Sequence, residues 1–387
     1  LPGQAFFENA GGSYTCKQVI DRLFRFYTQR KVQPYSAYEA SSLGGQEMDE
    51  ARTRMAAILG VDGDELSFGP STTQNTYVLA QAFGQMMQAG EAVIVTNQDH
   101  EANSGPWRRL ADRGIEVREW CVDPDSGHLD TADLENLLDD KVRLVCFPHC
   151  SNVVGQVNPV TEITALAHAA GAFVCVDGVS YAPHGFADVG ALGPDIYLFS
   201  AYKTFGPHQG IMVIRRALGM MLPNQGHYFN AETLFKRFTP AGPDHAQVAA
   251  SAGMADYADA LAAHHGITGD AATRAEGVHD LMRAQEGALL QPLLDYLGSK
   301  NSVRLLGPRD AALRAPTVAV ALSGSGHAKA VELAGHGIMA GGGDFYAVRA
   351  LEAQGVDRET GVLRLSFTHY TNKAEVDQLL NALDAVL

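Results

Sequence analysis

Positive charge is scarce in this 387-residue chain: 29 Lys and Arg stand against 44 Asp and Glu, a formal charge of -15. Such a surface repels a phosphate backbone, and no Lys/Arg block makes a local exception, which argues against a nucleic-acid partner. No apolar run approaches the roughly 20 residues that cross a bilayer, which argues against a membrane protein. The stretch Leu1 to Asn9 has no basic region leading into an apolar core, so nothing in it directs export. Cysteine is sparse and uneven. The five cysteines fall between Cys16 and Cys175, without the paired framework of small secreted domains, and the expected home is the cytoplasm.

What is present is a folded composition, 46% apolar and 19% charged, in a chain long enough for two packed regions. Helical spacing of Val19, Ile20, Leu23, Phe24 and Tyr27, and later of Met48, Met55, Ile58 and Leu59, predicts helices between about Thr15 and Gly60. A polar loop from Tyr35 to Gln46 is expected to interrupt them. Short apolar runs then alternate with helical segments: Glu65 to Phe68, Ala92 to Thr96, Ile115 to Trp120, Val142 to Phe147, Phe173 to Val176, Ile196 to Phe199 and Ile211 to Ile214. That rhythm predicts an α/β fold, a mostly parallel sheet covered by helices.

Beyond His245 the pattern changes to an alanine-rich helical stretch (246–264), a long helix (about 270–297), strand-like runs at 303–306, 317–322 and 362–367, and a closing helix. Residues 15–265 are therefore expected to form a large domain and 266–387 a smaller α+β domain, with residues 1–14 packing on the smaller one. The glycines between Gly335 and Gly343 read as a flexible loop by the active site, since they follow no early strand–helix unit of the dinucleotide kind. Cys146, His149 and Cys150 lack a second ligand cluster at zinc-like spacing, so no metal is expected.

Ligands of parallel sheets bind beyond the carboxyl ends of the strands. Three ends carry polar residues: Phe173–Val176 delivers Asp177, Ile196–Phe199 delivers Ser200 and then Lys203, and Leu144–Phe147 leads to Ser151 and Asn152. A carboxylate at a buried strand end needs a cationic partner. On these two residues alone, Asp177 and Lys203 read equally well as a plain buried ion pair.

The surrounding text moves that balance. Asp177-Gly178-Val179-Ser180 with His184, then Phe199-Ser200-Ala201-Tyr202-Lys203-Thr204-Phe205-Gly206-Pro207, resembles the core of the class V aminotransferase family, fold-type I pyridoxal 5'-phosphate (PLP) enzymes, and most of all its cysteine-desulfurase-like branch. The likeness runs from Phe7-Glu8-Asn9-Ala10-Gly11-Gly12 to Arg364-Leu365-Ser366-Phe367-Thr368-His369-Tyr370. It implies a homodimer whose Lys203 carries the cofactor as a Schiff base and later moves the substrate proton, and whose Asp177 holds the pyridine nitrogen protonated.

By the same resemblance His100, in Asp99-His100-Glu101-Ala102-Asn103, stacks on the ring. Ser71, Thr72, Thr73, Ser200 and Tyr202 hold the phosphate at a helix start. Asn152 and Ser180 lie near the ring hydroxyl, while Arg364, Asn152 and Asn9 receive the amino-acid substrate. Taken singly these signals have plainer readings: Ser and Thr as helix caps, His100 as a loop residue, Arg364 as a surface arginine.

Three departures matter. No cysteine follows Cys175, where desulfurases carry a sulfur-accepting one; the corresponding stretch is Ala340-Gly341-Gly342-Gly343-Asp344-Phe345-Tyr346. Ser180 stands where a glutamine or histidine is usual, and Pro243 stands where the family often presents a threonine to the partner subunit's phosphate. The reading is thus a C–S or β-elimination lyase lacking the usual acceptor cysteine. Alternatives are a transaminase or epimerase, and, in another class, a non-catalytic PLP-fold binding module.

Overall fold

The computed structural model describes residues 3–387; Leu1 and Pro2, which begin the segment expected to pack on the smaller domain, lie outside the described residues. In chain order the strands are β1 (Ala5–Phe6), β2 (Leu66–Gly69), β3 (Ala92–Thr96), β4 (Glu116–Trp120), β5 (Val142–Pro148), β6 (Phe173–Asp177), β7 (Ile196–Ser200), β8 (Gly210–Ile214), β9 (Val303–Leu305), β10 (Thr317–Leu322), β11 (Ile338–Met339), β12 (Gly341–Gly343) and β13 (Val362–Ser366).

Seven of them form one sheet in the order β2-β8-β7-β6-β5-β3-β4. All neighbours from β7 to β4 pair in parallel, whereas β8 runs antiparallel to both β7 and β2. The period of two along a strand explains why its core strands read as unbroken apolar runs. In β7, Tyr197 and Phe199 enter the core on one face while Ile196 and Leu198 enter the core on the other; β5 divides the same way, Val145 and Phe147 against Leu144 and Cys146. The fold is α/β, with helices on both faces.

A second, four-stranded antiparallel sheet, β12-β13-β10-β9, packs against the helix Ala271–Gly298 and the closing helix Lys373–Val386. The N-terminal β1 pairs in parallel with β11, and Ala5 and Phe7 are buried in the core of this C-terminal layer.

Two local expectations change. The helix Glu39–Ile58 begins inside the stretch read as a loop, and it keeps Gly44 and Gly45. Gly45 answers to packing rather than to a turn: a Cβ there would lie 2.6 Å from the Tyr35 ring. The glycines 341–343 are not a loop but edge strand β12, paired with β13 so that Gly341 faces Arg364. In the helix Lys17–Gln29, Val19 and Phe26 are buried, while Ile20, Phe24 and Tyr27 face outward at 52%, 71% and 50% exposure. One apolar stripe of that helix meets the core and another is uncovered.

Candidate active site

The direction of the strands builds the site. β6 and β7 end together at Asp177 and Ser200, β5 ends beside Asp177 through the Pro148 pairing, and β2 reaches the same edge. There Gly69, Gly210 and Ser200 lie in one row across β2, β8 and β7. Gly210 lets the helix Thr72–Met86 start hard against the sheet, because a Cβ on it would stand 2.6 Å from the Thr72 nitrogen. As a result the Thr72 and Ser200 hydroxyls, 128 residues apart, hydrogen-bond at 2.8 Å.

A small cavity of about 60 Å³ opens at this edge, walled by Thr72, Thr73, His100, Ala102, Pro148, Cys150, Asn152, Asp177, Val179, Ser180, Ser200, Tyr202 and Lys203. Nine of the residues expected from the sequence are thereby brought together: Thr72, Thr73, His100, Asn152, Asp177, Ser180, Ser200, Tyr202 and Lys203. Ser71, Asn9 and Arg364 are not on its wall. The Ser71 hydroxyl caps the helix through the Gln74 N–H at 3.1 Å, and the buried Asn9 amide oxygen accepts from the Tyr370 hydroxyl at 2.6 Å.

The electrostatics are those of a desolvated site. Burial pulls the Lys203 amine down to about 8, and the Arg364 charge adds to that, while Asp177 and Glu8 oppose it. Burial pushes the Asp177 carboxyl up to about 6, against the Val179 N–H it accepts at 2.8 Å and the Lys203 charge. His100 falls to about 4, by burial first and then by the charges of Lys203 and Arg364. Its Nδ1 accepts the Ala102 N–H at 3.0 Å, which leaves the ring proton on Nε2. Cys150 is no nucleophile, because burial pushes its thiol up to about 12.

Four residues that the sequence reading quoted without a role belong here. Asp99, buried beneath His100, accepts from Thr96 and Asn103, and burial, with Asp177 nearby, raises its carboxyl well above the usual range. Tyr346 leans over His100 with ring centres 5.3 Å apart. The carbonyl of Phe345 accepts the Asn152 amide at 2.9 Å, and Glu8 pairs with Arg364 at 2.7 Å. Phe345 and Tyr346 have φ of +52° and +57°, left-handed backbone that costs roughly 1–2 kcal/mol per residue. The motif text held all four; their meeting did not show in it.

The donor set suits PLP. Hydroxyls at a helix start fit a phosphate, a buried carboxylate fits a pyridinium, an amine near 8 fits an aldehyde, and Asn152 Oδ1 is buried with no partner of its own.

Residues 5–379 match the family described as aminotransferase class-V. The aminotransferase-like protein FGM3 of Gibberella zeae is 33% identical over 99% of this chain and 95% of its own length. A cysteine desulfurase of Serratia proteamaculans is 38% identical over 57% of this chain and 55% of its own. The nonribosomal peptide synthetase-like enzyme fsqF of Aspergillus fumigatus is 32% identical over 98% of this chain, which spans 25% of that protein. Among solved structures, the cysteine desulfurase of Thermococcus onnurineus NA1 superposes with a TM-score of 0.88 at 23% identity, covering 99% of this chain and 94% of that one, a likeness of fold.

Proposed function

The chain belongs to the aminotransferase class-V family, whose members are PLP-dependent enzymes, and on that premise we propose that it holds PLP on Lys203 and acts on an amino acid, as a C–S or β-elimination lyase. The observation that carries the reading is the meeting in one cavity of an amine near 8, a buried carboxylate and the hydroxyl-rich start of a helix. When bound, PLP supplies an aldehyde that condenses with amines and a protonated ring that draws electrons from bonds at the α-carbon.

Each residue then has work its own state permits. Lys203, partly unprotonated near neutral pH, would hold the cofactor through its aldehyde and is the amine that would move a proton at the substrate's α-carbon. Asp177 lies within the range of the Lys203 charge and pairs with the ring nitrogen. Thr72, Thr73 and Ser200 donate to the phosphate at the positive end of the helix dipole, with Tyr202 beside them. Neutral His100 would face the ring, with Asn152 and Ser180 as polar neighbours, and Arg364 would mark the end that holds the substrate's carboxyl carbon.

The lyase reading is tested by mixing the PLP-loaded protein with amino acids bearing a leaving group on the β-carbon. Release of pyruvate, ammonia or sulfide is expected; none from the whole panel ends it. Lys203→Ala is expected to abolish both the yellow absorbance and turnover. Transamination is the second reading, favoured by the aminotransferase-like relative that matches end to end. It requires the pyridoxamine spectrum to accumulate with a donor. A protein that stays colourless with PLP fits a binding module instead.

We further propose a division near residue 265, a homodimer, and a cytoplasmic setting. The uncovered stripe of Ile20, Phe24 and Tyr27 supports the second, and five free cysteines support the third. No helix among the described residues is long and apolar enough to cross a membrane.

A further inference from the structure

Arg364 is already engaged. Its Nη2 donates to Glu8 Oε1 at 2.7 Å and its Nη1 to the Asn152 carbonyl at 3.3 Å, while the Phe345 ring lies 3.7 Å from the guanidinium carbon. The side chain is 3% exposed. Its Nε is buried without a partner, and so is Glu8 Oε2. The Glu8 carboxylate sits in a recess shaped for it by two glycines: a Cβ at Gly341 would stand 2.2 Å from Oε2, and one at Gly11 2.8 Å from Oε1.

A free α-carboxylate that reached this guanidinium would meet a second carboxylate on the same cation. Like charges so placed disfavour each other strongly in a desolvated site. An uncharged carbonyl brings no such repulsion and needs a single donor. Turning Phe345 aside opens the guanidinium to that carbonyl, which takes the unpartnered, in-plane Nε–H while Glu8 stays in its recess.

We propose that Glu8 makes Arg364 a reader of an uncharged carbonyl, so that the substrate is an amino acid whose α-carboxyl is masked as an amide, ester or thioester. This deepens, and rests on, the reading of Lys203 as the cofactor-bearing amine. Glu8 is a specificity residue, acting through the charge it sets on Arg364.

The probes are 2-aminoisobutyrate and its primary amide, which have no α-proton to lose. Each is titrated by calorimetry into the PLP-loaded wild type, Glu8→Gln and Gly341→Ala, whose new methyl group occupies the recess of Oε2. Because the ratio of the two dissociation constants is compared between proteins, the different basicity of the two amines cancels. In both variants the ratio is expected to move toward the free acid by about tenfold or more. If Glu8→Gln does not fold, Gly341→Ala decides alone. A ratio that stays put, or moves toward the amide, overturns the inference and leaves the PLP reading intact. A wild type that gains no yellow absorbance with PLP sinks both.

Discussion

An amine at about 8 rather than 10.5 is the most consequential number in the site. At pH 7 it leaves about one Lys203 in ten unprotonated, against about one in 3000 for an ordinary lysine, a gain of roughly 300-fold in the form that attacks an aldehyde. Burial is the main cause, and the Arg364 charge adds to it, so the perturbations have defined signs. Asp177→Asn removes a charge that supports the ammonium, and the midpoint falls below 8. Arg364→Met removes one that opposes it, and the midpoint rises. The assay is trace acetylation of the cofactor-free protein by acetic anhydride across pH 6–11, with the peptide carrying Lys203 followed by mass spectrometry; this reads the amine without the titrations of PLP itself. A wild-type midpoint near 10.5, or variants that move it in the opposite senses, would refute the reasoning. The same shift links to folding: between about pH 8 and 10.5 the unfolded chain holds more protons at this lysine than the folded one, so this group alone raises stability as pH rises through that window.

Other outcomes follow from packing. Gly210→Ala presses a methyl group on the start of the helix Thr72–Met86 and is expected to weaken PLP binding about tenfold, with about 1–3 kcal/mol lost in urea unfolding, as overpacking costs. Unchanged PLP affinity would separate that helix start from the phosphate. Glu286, fully buried, holds His184 Nδ1 at 3.1 Å, and Glu286→Ala is expected to cost about 3 kcal/mol or more by urea denaturation, since it strands a buried partner. A loss below 1 kcal/mol would contradict this. Ile20→Asp with Phe24→Asp, on the outward stripe, is expected to give a monomer by light scattering; a dimer that survives both changes uses another face.

The strands that end at the candidate site were legible because burial on both faces leaves an uninterrupted apolar run, and the polar residue that ends the run marks the strand's carboxyl end. Asp177, Ser200 and Lys203 could be found from order alone for that reason. β12 could not: three glycines carry no alternation of side chains, and only pairing with β13 makes them a strand. The helix from Glu39 was hidden by the same residue type, since Gly44 and Gly45 look like breakers until the ring of Tyr35 is seen against Gly45. The helix Lys17–Gln29 was legible from its spacing, although spacing shows that a face is apolar and not what covers it. Glu8 and Arg364 are 356 residues apart, and no local pattern announces a contact of that span. Asp99 was in view, yet a carboxylate becomes unusual only through what surrounds it.

The recess around residue 8 ties two distant stretches of the chain into one heritable unit. With a Cβ excluded at 11 and 341 for as long as a glutamate occupies 8, a lineage that gains bulk at either glycine must first shorten or turn the acid. Drift at these positions is therefore expected to be concerted, and a descendant in which 341 has grown should also have altered its appetite for charge at the neighbouring arginine.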